Sequence, residues 1–224
     1  MIAGVDGYPD GWVAASDRGG GTTTVAGFDS FSALLARANL FLIVIDIPIG
    51  LLPSGSRRCD QEARKVLGFP RRSSVFPAPL RQMLKARNWE EACAIRLGID
   101  GKRCSRQVVG IMPKIREVDE GMKPDLQRRV REGHPEVSFA LMNGGRAMQH
   151  RKSSPEGRRE RLRLLGPHFP DIRGNLSKIP GAATDILDAY ALLWTVRRIA
   201  RHQAVVLPPD PEMDMRGLRA EIVA

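Results

Sequence analysis

Six consecutive apolar residues, Leu40 to Ile45, lead directly into an aspartate, Asp46. The run is apolar at every position rather than at alternate ones, which is typical of a central β-strand covered by helices on both faces. It is far too short to cross a bilayer, and the N-terminal segment from Ile2 to Val5 lacks the charged-then-apolar layout of a signal peptide. The sequence therefore predicts an α/β protein without a membrane span, and we expect it in the cytoplasm.

Three short strands and a helix are predicted before this run. The strands are Ile2 to Asp6, Trp12 to Ser16 and Thr22 to Ala26. Short glycine-bearing turns separate them, so hairpins between antiparallel neighbours are expected. Asp29 or Ser30 then caps a helix whose apolar positions have helical spacing: Phe31, Leu34, Leu35 and Ala38. Because a strand reached through a helix tends to lie parallel to the first, these residues predict a mixed sheet with a β-β-β-α-β core.

From about residue 51 to 131 the chain loses strand character, and we expect a mostly helical insertion. Its helical stretches are predicted around Arg57–Leu67, Leu80–Arg87, Trp89–Leu97 and Ser105–Val118. The elements predicted after it are a late strand at Val137–Met142, a short helix at Pro155–Leu165 and a long C-terminal helix from about Ala183 to Arg201. Residues 1–224 are expected to form a single domain that carries this insertion.

Positive charge is concentrated in the predicted insertion. The whole chain has a net charge of +10, and residues 57–131 alone carry 19 basic and 9 acidic side chains. Such a surface attracts polyanions by releasing their counterions, so nucleic acid, either DNA or RNA, is the expected partner. A solvated, arginine-rich surface is the alternative interpretation. The cysteines stand singly and indicate neither a disulfide framework nor a zinc site, and no oligomeric state follows from the sequence.

Acidic residues stand where an α/β sheet places its ligand site. Asp6 and Asp46 end the first and fourth predicted strands, where neighbouring carboxylates project into the ligand crevice. Such a pair repels unless a cation neutralises it, so it predicts a Mg²⁺ or Mn²⁺ site, although either residue alone also suits a turn. Asp185 and Asp188 share one face of the C-terminal helix. Asp185 also suits a helix cap, whereas Asp188 lies in an apolar stretch where an unpaired charge is unfavourable.

Four such carboxylates have the composition of a two-metal phosphodiester site, in which one ion activates water and the other stabilises the leaving oxygen. The predicted metal ligands are Asp6, Asp46, Asp185 and Asp188. Glu136 is a further candidate ligand or base and His134 a candidate proton shuttle, with ordinary strand-edge and surface roles as the alternatives. The basic residues predicted to hold phosphates are Arg71, Arg72, Lys152 and Arg158.

Motifs along nearly the whole chain resemble the DUF429 family. They are Gly4-Val5-Asp6-Gly7 with Gly11-Trp12, the segment Ile45–Leu51, Arg58 with Asp60, Ala63-Arg64 and Leu67-Gly68, Ser73–Pro79, His134–Phe139, Asn143-Gly144-Gly145, Asp185–Ala191 and Glu221-Ile222-Val223. The resemblance implies a ribonuclease H-like core and a nuclease, by analogy with Holliday-junction resolvases. In that superfamily, acidic residues on the first strand, the fourth strand and the C-terminal helix bind divalent metal, which matches Asp6, Asp46 and Asp185 or Asp188. Ser73, Ser74 and His134 belong to motifs without a counterpart in resolvases, and we expect them to line a substrate pocket.

Three functions are therefore open. The first is a Mg²⁺- or Mn²⁺-dependent nuclease that hydrolyses phosphodiester bonds in DNA or RNA. The second is a non-catalytic nucleic-acid-binding module in which the acidic residues serve as caps and turns. The third is a metal-dependent enzyme acting on a small phosphorylated substrate, which a pocket too narrow for a duplex would favour. No Gly-x-Ser-x-Gly elbow is present in the sequence, so Ser-His-Asp hydrolysis has no support.

Overall fold

The computed structural model describes residues 1–19 and 21–224 and shows a mixed α/β protein built on a five-stranded sheet. The strands are β1 (Ile2–Tyr8), β2 (Gly11–Asp17), β3 (Thr23–Phe28), β4 (Leu42–Ile45) and β5 (Val130–Glu132). Their order across the sheet is β3-β2-β1-β4-β5. The β1–β2 and β2–β3 pairs are antiparallel, whereas β4 runs parallel to β1 and β5 runs parallel to β4. The predicted β-β-β-α-β order and the mixed sheet are confirmed.

The first helix, α1 (Phe31–Leu35), begins at one of the two predicted caps. Ser30 Oγ accepts a hydrogen bond from the Ala33 backbone nitrogen at 3.1 Å, which satisfies a donor that a helix start leaves free. Phe31 and Leu34 are buried against the sheet, as their spacing predicted.

Helices follow β4, close to the predicted positions. They are α2 (Arg58–Leu67), α3 (Trp89–Asp100) and α4 (Arg106–Gly121), with 3₁₀ turns at Arg71–Ser74, Arg81–Lys85 and Asp125–Arg128. The buried residues of α3 and α4 pack with the turn at residues 81–85 into a small apolar cluster of their own. The chain then returns to the main sheet as β5, a strand that was not predicted, because it begins inside the segment 51–131 expected to lack strand character and ends one residue beyond it.

The predicted late strand at Val137–Met142 is wrong, because Pro135–Met142 form a helix, α5. Proline suits the first turn of a helix, where its missing N–H is not needed. Residues 135–140 are all buried, so the helix lacks the alternation of apolar and polar faces that identifies an amphipathic helix in a sequence. A helix buried on every side is hard to distinguish from a buried strand by periodicity alone.

The remaining elements complete the layer around the sheet. They are α6 (Pro155–Leu165), α7 (Ile172–Asn175), α8 (Ala183–Ala200) and a two-stranded hairpin of β6 (Val206–Met213) and β7 (Arg219–Val223). The long helix α8 matches the predicted C-terminal helix and packs on β1 and β2. Within residues 1–19 and 21–224, no helix combines the length and the apolar character needed to cross a membrane.

Candidate functional site

Three carboxylates come together where the pairing of the inner strands β1 and β4 ends. They belong to β1, to the residue after β4 and to α8. β1 and β4 pair in parallel as far as Val5 and Ile45, and the Asp46 backbone nitrogen donates to the Val5 carbonyl oxygen at 3.0 Å. Asp6 and Asp46 therefore lie side by side just beyond the last β1–β4 pair. Asp6 was predicted to end the first strand, but β1 continues to Tyr8, and Asp6 still pairs there with Val13 of β2. Asp188 reaches them from α8, close enough for its charge to act on both. Asp6 and Asp188 are 6% and 1% exposed, so two of the three acids are buried.

Burial and mutual repulsion oppose the ionisation of these acids. Burial raises the pKa of Asp6 well above its ordinary value, and the charges of Asp46 and Asp188 raise it further. Burial also raises the pKa of Asp46, while the charges of His134 and Lys152 act in the opposite direction. Acids that interact in this way lose their protons readily only when a cation supplies the compensating charge.

One cation of the chain already reaches this carboxylate cluster, which we define as Asp6, Asp46 and Asp188. Lys152 Nζ donates to Asp188 Oδ2 at 2.7 Å. The Lys152 side chain is 49% exposed and that of Asp188 only 2%, so the lysine reaches inward from the surface. Asp188, followed by Asp6 and Asp46, raises the pKa of Lys152, and burial opposes that shift. The other oxygen, Asp188 Oδ1, is buried without a hydrogen-bond partner among the described residues.

Asp185, the other predicted acid of α8, lies beside the carboxylate cluster and is less buried than Asp188. It lies in the first turn of the helix and is half-buried. Burial raises its pKa, Lys152 lowers it and Asp188 raises it. Its charge also acts on Asp6, though less than those of Asp46 and Asp188. Of the two predicted helix ligands, Asp188 therefore has the position best suited to share an ion with the strand acids.

Glu136 borders the same site, but a buried arginine holds it. Arg161 of α6 is fully buried and donates from Nη2 to Glu136 Oε1, while its guanidinium lies 5.2 Å from the centre of the Phe139 ring. A buried carboxylate is tolerated when such a partner compensates its charge. Glu136 Oε2 has no hydrogen-bond partner within the described part of the chain. The glutamate is thus fixed through one oxygen, and its other oxygen is buried without a partner there.

His134 directly precedes α5, and its charge acts on the strand acid Asp46. Its Nε2 lies 3.4 Å from the Ser74 carbonyl oxygen, so a neutral ring would carry its proton on that nitrogen. Nδ1 is buried and finds no hydrogen-bond partner in residues 1–19 and 21–224. Among neighbouring charges, that of His134 does most to lower the pKa of Asp46. When the ring is neutral, Nδ1 is an acceptor nitrogen, and when the ring is protonated, its charge favours the ionised form of Asp46.

Asp46 and Asp188 line a cavity of about 380 Å³ with mostly polar walls, whereas Asp6 and Asp185 line neither this cavity nor the one beside it. Its polar lining consists of Asp46, Arg71, Ser73, Ser74, Gln107, His134, Glu136, Arg151, Lys152, Ser153 and Asp188. A second cavity of about 650 Å³ shares Lys152 and Ser153 with the first and adds three arginines, Arg158, Arg159 and Arg173. The two cavities therefore adjoin at Lys152, and we call them together the basic groove.

The predicted phosphate-binding residues divide between these cavities. Ser73 and Ser74 line the first cavity with Arg71 and Lys152, and Arg158 lines the second. Arg71 also has a structural task, because its guanidinium donates to the carbonyl oxygens of Met148 at 2.7 Å and Gln149 at 2.6 Å. Arg72 is exposed and lines neither cavity.

The basic residues of the predicted insertion contribute less to the groove than their number suggested. Arg81 pairs with Asp119 and Asp214, and Arg96 pairs with Asp100. Other arginines donate to carbonyl oxygens inside the fold, namely Arg64, Arg116 and Arg129. The groove instead takes most of its charge from residues 151–173, outside the most basic part of the sequence. Sequence reasoning missed Arg151, Arg159, Arg161 and Arg173, whose roles depend on contacts across the fold rather than on local spacing.

A buried ion network anchors the segment that follows Asp46. Arg57 donates to Asp60 Oδ1 at 2.5 Å and to Glu132 Oε1 at 2.7 Å, and Glu132 Oε2 accepts from the Ile49 backbone nitrogen at 2.7 Å. Burial raises the pKa of Glu132 to about 7, although Arg57 lowers it. Arg57 is 3% exposed, so it is the buried arginine, whereas the motif residue Arg58 is exposed. The network fixes the backbone at Ile49, three residues after Asp46, through both its nitrogen and its carbonyl oxygen.

In residues 1–19 and 21–224, no three His, Cys, Asp or Glu side chains are arranged to hold a metal ion as they stand. The donor chemistry of the carboxylate cluster does fit Mg²⁺ or Mn²⁺, which prefer carboxylate oxygens, and Asp188 Oδ1 is a buried oxygen that lacks a partner there. Side-chain movement is therefore needed before Asp6, Asp46 and Asp188 share one ion.

A family model described as "Protein of unknown function (DUF429)" matches residues 4–213. The matched range contains Asp6, Asp46 and Asp188 together with both cavities of the basic groove. Neither a curated protein nor a solved structure matches the chain.

Proposed function

The chain belongs to the DUF429 family, and we propose that it is a divalent-metal-dependent nuclease that hydrolyses phosphodiester bonds in nucleic acid. One observation carries this proposal: Asp6, Asp46 and Asp188 come together beside a groove lined by arginine and lysine. Acids of this kind attract a divalent cation, and arginines suit phosphates through their bidentate donors.

The proposal includes a ribonuclease H-like fold. Its support is the β-β-β-α-β order of the mixed sheet together with the positions of the acids. One acid lies on the first strand, one directly follows the fourth strand, and one lies on the C-terminal helix. These are the positions from which the superfamily binds its metal, according to the resemblance drawn from the sequence.

Each residue has a defined task in this mechanism. Asp6, Asp46 and Asp188 would hold Mg²⁺ or Mn²⁺, which when bound lowers the pKa of a water and neutralises charge that develops on the phosphate. His134 Nδ1, which is buried without a partner among the described residues, would accept the proton that the attacking water loses, once the ring turns enough to expose that nitrogen to the cavity. Arg158 binds and orients a neighbouring phosphate along the groove. Glu136 stays paired with Arg161 and positions α5 beside the acids.

The size of the first cavity favours a second candidate, a metal-dependent enzyme for a small phosphorylated substrate. About 380 Å³ suits a small ligand or a single nucleotide, and an intact duplex is too wide to enter it. The larger cavity beyond Lys152 favours the nuclease, because a small substrate would leave its arginines without a phosphate.

A cleavage assay separates these functions. Labelled single-stranded DNA, single-stranded RNA, duplex DNA and p-nitrophenyl phosphate are incubated with Mn²⁺ and either the wild type, Asp46→Asn or Asp10→Asn. Asp10 is an exposed acid at the turn after β1 and serves as the matched control. Cleavage of a nucleic acid by the wild type and Asp10→Asn, but not by Asp46→Asn, supports the nuclease. Hydrolysis of p-nitrophenyl phosphate alone points to the second candidate. If nothing is cleaved, a gel shift of the same labelled nucleic acids by all three proteins points to the non-catalytic module.

A further inference from the structure

We infer that Lys152 supplies the second positive centre of the site, so that the carboxylate cluster binds one divalent cation rather than two. This inference rests on the proposed function. It differs from the two-metal arrangement that the number of acids alone suggests.

The geometry places the lysine ammonium inside the cluster. Lys152 Nζ donates to Asp188 Oδ2 at 2.7 Å, a distance at which no ion lies between the two atoms. The Asp188 side chain is 2% exposed, whereas the stem of Lys152 reaches the surface. The amino group therefore enters the site from the solvent side and covers one oxygen of the carboxylate most shielded from water.

The balance of charge at the site agrees with a single ion. The three ionised carboxylates of the cluster carry three negative charges, and Lys152 reduces this excess to two, which one divalent cation neutralises. Two divalent cations beside the lysine would place five positive charges against the three acids. Glu136 does not change this balance, because the buried Arg161 compensates its charge. Asp185 is only half-buried, and its charge acts on Asp6 less than those of Asp46 and Asp188, so it weighs less in this balance.

The position of Lys152 in the groove indicates what else its charge does. It lines both cavities, so a phosphate that passes from the arginines of the second cavity towards the acids meets the ammonium. A lysine is a point charge on a flexible stem and can follow a phosphate over a short distance. Lys152 would thus act as a catalytic residue that contacts the scissile or neighbouring phosphate, the position that a second metal occupies in two-metal sites.

The test counts bound Mn²⁺ by the loss of the electron paramagnetic resonance signal of the free ion. The proteins are the wild type, Lys152→Met, Lys152→Arg and Lys178→Met, the last being an exposed lysine that lines neither cavity. Thermal unfolding without metal confirms that each variant is folded. We expect one ion in the wild type, in Lys152→Arg and in Lys178→Met. We expect Lys152→Met to bind a second ion or to bind the first at least tenfold more tightly.

Two ions in the wild type would overturn the inference and leave the metal-dependent function intact. Equal number and affinity of Mn²⁺ in the wild type and Lys152→Met would also overturn it, because the lysine would then not compete for the site. If the wild type binds no Mn²⁺, the proposed function itself fails, and the inference fails with it.

Discussion

Gly4 of β1 and Ala189 of α8 are in backbone contact: a Cβ added to Gly4 would lie 2.1 Å from the Ala189 carbonyl oxygen. The helix therefore lies on the strand with no side chain between them. Asp188 immediately precedes Ala189, and Asp6 lies two residues beyond Gly4 on the strand. Because Gly4 has no side chain, α8 can lie close to β1, and this short distance brings Asp188 near Asp6 and Asp46.

Gly4→Ala is expected to destabilise the protein by about 3 kcal/mol or more, because the clash is with backbone atoms that cannot turn aside. The control is Gly110→Ala in α4, where an added Cβ meets nothing within 4 Å. Alanine is the better helix former, so this variant should gain up to about 1 kcal/mol. Urea unfolding of both variants measures the difference, and wild-type stability in Gly4→Ala would contradict the close packing of α8 on β1.

Asp6→Asn is expected to stabilise the metal-free protein at pH 8, by on the order of 1 kcal/mol or more. Asparagine keeps an oxygen for the Gly7 backbone nitrogen, which donates to Asp6 Oδ1 at 2.7 Å, but carries no buried charge. The folded-state pKa of Asp6 is raised above its ordinary 3.8, so the wild type loses stability as pH rises through that raised pKa. The advantage of the variant should therefore shrink as pH falls towards 4. Unfolding curves across this pH range measure it, and a gain that is independent of pH would count against burial of the charge.

Arg57→Met should destabilise the protein by about 3–5 kcal/mol, because it leaves Asp60 and Glu132 buried without their cation. The neighbouring Arg58→Met is the control, since its side chain is exposed, and it should change stability by less than about 0.5 kcal/mol. Chemical denaturation at pH 8 compares the two variants. Equal effects at the two positions would show that Arg57 does not hold the network together.

Arg158→Gln should weaken the binding of a single-stranded oligonucleotide and reduce the dependence of log K on log salt by about one. Arg163 is also exposed on α6 but lines neither cavity, so Arg163→Gln should leave both quantities close to those of the wild type. Fluorescence polarisation at several salt concentrations provides the measurement. Identical slopes for the two variants would place the nucleic acid elsewhere on the surface.

The first half of the main sheet was predictable because its signals are local. The short strands, the tight turns between them and the helix capped by Ser30 can each be recognised from a few consecutive residues. The positions of Asp6 and Asp46 followed directly, since both lie at the end of a predicted strand. Helix α5 was mistaken for a strand because burial on every side removes its periodicity. Strands β5, β6 and β7 were not predicted either. β5 has only three residues, and the prolines of β6 argue against a ladder, while β6 and β7 form a hairpin of their own.

The partners of the buried charges could not be predicted from the sequence. Lys152 and Asp188 are 36 residues apart in the chain, and Glu136 and Arg161 are 25 apart. No spacing rule connects such pairs, because the turns and helices between them determine which side chains meet. The basic surface was misjudged for a related reason: many arginines of residues 57–131 are used inside the fold, which their number alone does not reveal.

Isothermal titration of Mn²⁺ into the wild type, Asp46→Asn and the control Asp10→Asn tests the central claim most directly. The claim predicts binding by the wild type and by the control, and a loss of affinity of about 100-fold or more in Asp46→Asn. Removal of an outer-shell partner of a metal ligand already weakens binding about 10–100-fold, so the loss of a ligand should exceed that. Equal affinity in all three proteins, or no binding in any of them, would contradict the assignment of Asp6, Asp46 and Asp188 as a metal site.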